Sequence, residues 1–401
     1  MNRRITSFAP SILASILVAC ALLVAASAQS QTLTSRDKAR RIHDRLAGTP
    51  PDATRLRKME MLVESGDALA AAELAMEQPS FYTVVLKNFI TPWTNVERTV
   101  FADLNDYTAT VIGIIRDERD FREVLTGDIL YVGDATNPAV ANVGYSHTDN
   151  EHYRQLESNG VDLSDETLFF RTEQSTRPGS QIGAGDAAGV ITTRAAGMAF
   201  FSAGTNRRML RFTAINYLCR DLEELKDVSG PADRIRQDVS RSPGGDSELF
   251  HQQCVGCHSG MDPLAGAFAY FEWDEDLGRV VHTPDQVQEK YLINANTFPG
   301  GYITVDDRWD NFWRSGPNAA LGWRGPETGG FGPKGFGREV AESRAFSVCQ
   351  AQKVFEQVCF RPPRDADDAD AIVAIATAFE DSGYRMKTVF AQAAAYCVGE
   401  E

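Results

Sequence analysis

Apolar residues recur at helical spacing over most of this chain. From Thr34 to about Leu130 they return every three to four positions, interrupted by Pro50-Pro51, Gly66 and Pro79, which predicts a helical domain. The clearest stretch is 107–130, with Val111, Ile114, Ile115, Phe121 and Leu125 on one side and Arg116, Asp117, Glu118 and Arg119 on the other. Between 131 and 190 the period fades and Gly, Asn, Asp and Ser rise, as expected of a long irregular insertion with short elements. A second helical stretch covers 192–225 and is closed by Gly230-Pro231; the polar run Arg241 to Asp246 then reads as a linker. A new helix is expected near Ser247. Residues 316–337 hold eight glycines and three prolines, so the pattern predicts a loop there, either folded over a site or serving as a tether. The last 60 residues read as three helices, 339–361, 366–380 and 384–398. No internal repeat or low-complexity tract is present. The expected fold class is mainly α.

The first 28 residues follow other rules. Arg3 and Arg4 precede an apolar run from about Ile12 to Ala26, and Ala26-Ser27-Ala28 supplies small residues for cleavage. This predicts an export signal. The run is shorter than the roughly 20 apolar residues that span a bilayer, and no later segment reaches that length, so no transmembrane span is expected after cleavage. Leu17-Val18-Ala19-Cys20 offers an alternative, a lipid anchor on Cys20; the apolar residues that follow Cys20 argue against it, since a lipidated end should lead into a polar tether. With 401 residues the chain has room for several units. The expected division is a signal over 1–28, an N-terminal helical domain over 29–240, a site-bearing module over 241–337 and a C-terminal helical region over 338–401.

Charge narrows the partners. Lys and Arg number 40 against 55 Asp and Glu, a net charge of -15; without Arg3 and Arg4 the balance is 38 against 55, or -17. That sign excludes binding driven by nucleic-acid phosphates or anionic membrane surfaces. A redox partner with a basic face would suit it, although surface charge also serves solubility.

Candidate chemistry centres on Cys254-Val255-Gly256-Cys257-His258, the attachment signature of c-type haem. Positions i and i+3 share a helix face, so both thiols can reach the two vinyl groups of one porphyrin edge, and His258 follows as the proximal iron ligand. Gly256 would leave the backbone free to lie close to the macrocycle. A thioredoxin-type redox pair would need a βαβ setting, and a structural zinc site a second ligand pair; the sequence shows neither. Haem is attached to such chains after export, in agreement with the leader.

The distal ligand is left open. Met261 lies on the same helix side as His258 and is expected to pack; His251, also on that helix, fails for the same reason. His282, Met386, Met209 and Met198 remain as candidates. Two strong axial ligands would favour electron transfer, whereas an open face would admit a small ligand. Cys219, Cys349, Cys359 and Cys397 form an even set suited to two disulfides. Cys349 and Cys359 lie about 15 Å apart on one predicted helix, too far to bridge, so Cys397 should pair with one of them and Cys219 with the other. Phe268, Tyr270, Phe271, Trp273, Trp309, Phe312, Trp313 and Trp323 could cover a haem or simply pack a core. Asp262-Pro263 is expected to turn the chain at the end of the haem helix.

The segment CVGCHSGMDPL (254–264), followed by FAYFEWDEDLG (268–278), resembles the haem segment of the planctomycete-type cytochrome family. Residues 121–131, 195–219 and 379–397 are similar to other blocks of that family, and only the haem motif is specific. Ala265 stands where the family has Gly, and Glu272-Trp273 where it tends to have Asn-Phe. The resemblance implies a periplasmic or cell-surface haem protein of no fixed substrate. The reading is a multi-helix protein with a single-haem cytochrome c-like module passing single electrons to a periplasmic redox partner. The alternatives are a haem enzyme with an open distal face, peroxidase-like or oxidising a small molecule, and a docking subunit of a partner enzyme.

Overall fold

The computed structural model describes residues 33–202 and 204–398. The predicted export signal and Cys20 lie outside them. Three helices open the described chain: α1 (Ser35–Ala47), α2 (Ala53–Glu64) and α3 (Ala68–Met76). Each begins at an oxygen-bearing side chain that accepts from first-turn N–H groups: Thr34 in a reciprocal box with Asp37, then Asp52, then Asp67. Next come α4 (Asp106–Arg116), β1 (Leu130–Gly133), α5 (Glu151–Ser158), β2 (Phe169–Thr172), α6 (Arg207–Leu218) and α7 (Val255–Ala265). The chain continues through β3 (Phe271–Asp274), β4 (Arg279–His282), β5 (Arg308–Asp310) and β6 (Gly329–Phe331). It finishes with α8 (Gly332–Ala341), α9 (Arg344–Cys359), α10 (Ala366–Asp381) and α11 (Met386–Cys397).

The expected mainly α class holds. The strands form three separate antiparallel ribbons, β1 with β2, β3 with β4 and β5 with β6. Buried apolar residues from all the predicted segments belong to one continuous cluster that runs from Ala39 to Val398. Its two chain ends meet directly: the rings of Phe81 and Phe89 stand edge-on to Phe390 of α11 at 5.2 and 5.6 Å, and Arg45 of α1 donates to the Cys397 carbonyl at 2.8 Å. Among the described residues no helix is long and apolar enough to cross a membrane.

Four local expectations are corrected. The stretch 107–130 is not one helix: α4 stops at Arg116, Glu118 takes a left-handed φ of 49°, and β1 begins at Leu130. All eleven residues of α4 are buried, Arg116 included, and the polar run meets water only from Asp117, beyond the helix end. Arg116 lies over the rings of Tyr131 and Phe169 and donates to the Phe169 carbonyl. The stretch 192–225 breaks earlier than predicted, at Leu218, where Cys219 turns left-handed and bridges to α9. The glycine-rich stretch is not all loop: it contributes a 3-10 turn over Gly316–Leu321, strand β6 and most of α8. Its glycines serve close packing, since a Cβ on Gly337 would sit 2.1 Å from the Leu125 carbonyl oxygen. Finally, the predicted helix 339–361 is two helices, parted where Ser343 caps α9 by accepting from Phe346 N–H at 3.1 Å.

The disulfide question closes on one pairing. Cys219 joins Cys349 and Cys359 joins Cys397, with Cα separations of 5.2 and 5.5 Å. The first ties α6 to α9 and the second ties α9 to α11.

Two outcomes follow from this packing. Gly337→Ala should lower stability by about 1–3 kcal/mol in urea unfolding, because the added methyl meets backbone that cannot swing aside. Asp307, at the entry to β5, has its pKa raised to about 6 by burial and by the carboxylates of Asp306, Asp186 and Asp285. A raised acid pKa means the fold loses this group's contribution as pH rises from the unfolded value of about 3.9 through 6. Asp307→Asn should therefore melt higher than the wild type at pH 7.5, with the gap closing below pH 4.

Candidate haem-attachment site

The motif segment starts where predicted. Asp246 accepts from the N–H groups of Glu248 and Leu249 at 2.8 and 3.3 Å, and the chain turns helical at Ser247. A π-helical stretch, Phe250–Cys254, leads directly into α7. Such widened turns are frequent at functional sites.

Cys254 and Cys257 stand one helical turn apart, with His258 one turn beyond Cys254. Both thiols are half-buried and unbridged, whereas the other four described cysteines are paired. The Cys257 sulfur lies 3.8 Å from the Leu222 carbonyl, and burial pushes its thiol pKa up. A catalytic dithiol needs the opposite shift, so the redox-pair alternative gains nothing here. Cys254 packs against a small separate cluster of Ile235, Val239, Phe250 and Val255.

His258 is held by its own helix. Its Nδ1 lies 3.1 Å from Asp262 Oδ1, one turn on, and its Nε2 makes no hydrogen bond with any described residue. With Nδ1–H donating to the carboxylate, the Nε2 lone pair is left for a metal, the arrangement that fixes tautomer and ring orientation in metal-binding histidines. Asp262 is itself fully buried. It also accepts from Arg207 Nε and Nη2 at 2.7 and 3.0 Å and from the Arg236 backbone N–H at 3.1 Å. Burial alone would raise its pKa; the Arg207 charge, the His258 hydrogen bond and Arg236 outweigh that and hold the carboxyl far below the usual range. Arg207 is shared with Asp238 at 2.6 and 2.9 Å.

Asp262 is thus not the turn residue expected from Asp-Pro. Pro263 lies inside α7, which runs on to Ala265. Gly256 has a packing role within the fold. A Cβ there would meet Val228 and Lys226, so the glycine admits the 226–228 segment, whose Asp227 N–H donates to the Gly256 carbonyl at 2.8 Å. Gly260 admits the Trp313 indole, whose Nε1 would lie 2.0 Å from an added Cβ.

Three of the four distal candidates are engaged elsewhere. His282 stacks on Phe271 at 4.4 Å, Met209 lines an interior cavity with Tyr107, Phe200 and Tyr217, and Met386 is buried in α11. Met198 is 48% exposed. Met261 is buried in the main core, as expected of a packing residue, and His251 is exposed. Several of the aromatics after the motif pack on other core rings: Phe268 on Phe336 and Phe201, Phe271 on Phe201, Trp309 on Phe336.

The donor set fits a covalently held haem: two unpaired thiols one turn apart and an imidazole whose second nitrogen is uncommitted. Among the described residues no group of three or more His, Cys, Asp or Glu is placed to hold a metal ion. A haem iron needs only one protein nitrogen on its proximal side. Comparison with protein families, with curated proteins and with solved structures finds no match.

Sequence reasoning missed Arg207 and Asp262. The signal for Asp262 was present in its i+4 spacing from His258; nothing local marks Arg207, which reaches it from another helix. Arg207→Ala should cost about 3–5 kcal/mol in denaturant unfolding, since it leaves the buried Asp262 carboxylate without its bidentate charged partner, and Asp262→Ala should cost less, because Arg207 keeps Asp238. The double variant should cost clearly less than the two together, a coupling of at least about 1 kcal/mol.

Proposed function

We propose that this protein is an exported c-type cytochrome that holds one haem on Cys254 and Cys257, with His258 as proximal ligand, and exchanges single electrons with a periplasmic partner. The observation that carries the reading is the Cys-x-x-Cys-His turn on α7, with both thiols free in a chain whose other described cysteines are bridged. Two disulfides suit an oxidising compartment, as does the leader sequence. The resemblance of 254–278 to the planctomycete-type cytochrome segment points the same way.

In this reading the chain's residues have distinct tasks. Cys254 and Cys257 fix one edge of the macrocycle, and His258 presents Nε2 while Asp262 keeps its ring from turning. A bound haem supplies a one-electron iron couple. The Asp262 carboxylate, anchored by Arg207, would raise the basicity of the imidazole and favour the oxidised state. The net charge of -15 selects a partner with a basic contact face.

A second reading, a haem enzyme with an open distal face, is favoured by one observation. Of the four candidate sixth ligands, His282, Met209 and Met386 have other packing partners, and Met198 alone is exposed.

Expression with c-haem maturation machinery should give one covalent haem per chain by pyridine haemochrome assay, abolished in Cys254→Ala/Cys257→Ala. Absence of covalent haem in the wild type would reject the proposal. A low-spin spectrum indifferent to carbon monoxide supports the carrier; a high-spin haem that binds carbon monoxide puts the enzyme first.

A further inference from the structure

Most half-buried arginines in this protein sit against a carboxylate: Arg207 with Asp262, Arg234 with Asp310, Arg314 with Glu339, Arg361 with Asp368. One cluster does not. The guanidiniums of Arg177 and Arg194 make no ion pair and no hydrogen bond, and Arg279 donates only to the carbonyls of Gly179 and Val280. Arg194 and Arg279 line one pocket, and Arg177 lies against the Tyr145 ring of its wall, in a protein whose net charge is negative.

The pocket measures about 320 Å³ counting its mouth and is lined by Tyr145, His147, Gln181, Arg194, Arg279 and Val280, among others. Its enclosed interior has room for about one water-sized group, so an oxyanion would sit at the mouth with one oxygen reaching inward. Buried donors without partners converge on it: Nε of Arg194 and Nε2 of His147, with Nε of Arg177 just behind, where its guanidinium lies over the Tyr145 ring at 5.9 Å. Buried polar groups in native proteins find partners, so orphans collected at one pocket indicate something that belongs there.

The nearby carboxylates do not answer this need. Asp106 is committed to backbone, accepting from the N–H groups of Tyr107, Arg194 and Ala195 at 3.0, 2.6 and 3.0 Å. Asp106 and Asp149 both feel the charge of Arg194, yet neither they nor Asp186 forms an ion pair with any of these arginines. Arg194 is instead braced from behind by the Trp273 ring, 5.4 Å from its Cζ. A fixed guanidinium with free N–H groups is a fork for a carboxylate or phosphate.

We infer that this pocket binds a small oxyanion, a carboxylate or phosphate group, held by Arg194 and Arg279 with His147 and backed by Arg177. The site is independent of the haem reading, because no residue of the 254–262 segment lines it.

The test is calorimetric titration of the full chain with malonate and, separately, with inorganic phosphate; whichever saturates identifies the geometry preferred. One equivalent should bind. Arg194→Gln and Arg279→Gln should each weaken binding at least tenfold, while Arg171→Gln, on an exposed arginine beside Glu173, should leave it unchanged. If Arg194→Gln fails to fold, Arg279→Gln decides. Failure of both probes to bind saturably, or equal binding by wild type and pocket variants, would overturn the inference, since the orphaned donors would then be served by water alone.

Discussion

The buried carboxylate of Asp262 is the constraint around which the motif region is organised. An ion taken out of water costs several kcal/mol unless its lone pairs are filled. Asp262 fills them from three directions: Arg207 on α6, the Arg236 backbone between α6 and α7, and His258 on α7 itself. None of these contacts is stable alone. Arg207 would be a half-buried cation without Asp262 and Asp238, and Asp262 would be an isolated anion without Arg207. The network therefore forms as a set, and its formation docks α7 onto α6 with His258 already oriented. The chemistry of the motif depends on a residue outside the motif.

Much of the fold was legible from periodicity, and its failures share a cause. Helices with one wet face, such as α1 to α3, α10 and α11, are found within a few residues because burial and period agree. The α4 helix defeats this logic: it is buried all round, so Arg116 and Asp117 mark an end of the helix and not a solvated side. The glycines of 316–337 read as a loop, but at Gly337 a missing side chain lets another part of the chain approach, as it does at Gly260 on α7. Composition cannot distinguish these uses, because the reason for the glycine lies on a distant segment.

The placement of Cys254, Cys257 and His258 on one helical turn was legible, since it is local to five residues. Its support was half legible. Asp262 carried a helical i+4 relation to His258 and a competing local rule, that Asp-Pro turns the chain; in the fold the i+4 relation prevailed because Arg207 compensates the charge. The distal side was not legible at all, as a residue opposite His258 could come from any part of the chain. The cysteines were intermediate: spacing excluded one pairing, and only the packing of α6 and α11 against α9 chose between the other two.

Net charge misled in one respect. A chain with a surplus of carboxylates would be expected to neutralise every arginine, and around Asp262 it does so. The pocket at Arg194 shows that the sum says little about the local field: Asp106 is spent on backbone N–H groups, and neither Asp149 nor Asp186 forms an ion pair there. The two regions are also joined in sequence. After α7 the chain enters the β3–β4 ribbon, whose first strand places Trp273 behind Arg194 and whose second supplies Arg279 and Val280 to the pocket wall. An anion that clamps Arg194 and Arg279 would brace this ribbon and the π-helical turn that packs on it through Gly197 and Val280. The β3–β4 ribbon thus follows α7 in the chain and forms part of the wall of the cationic pocket.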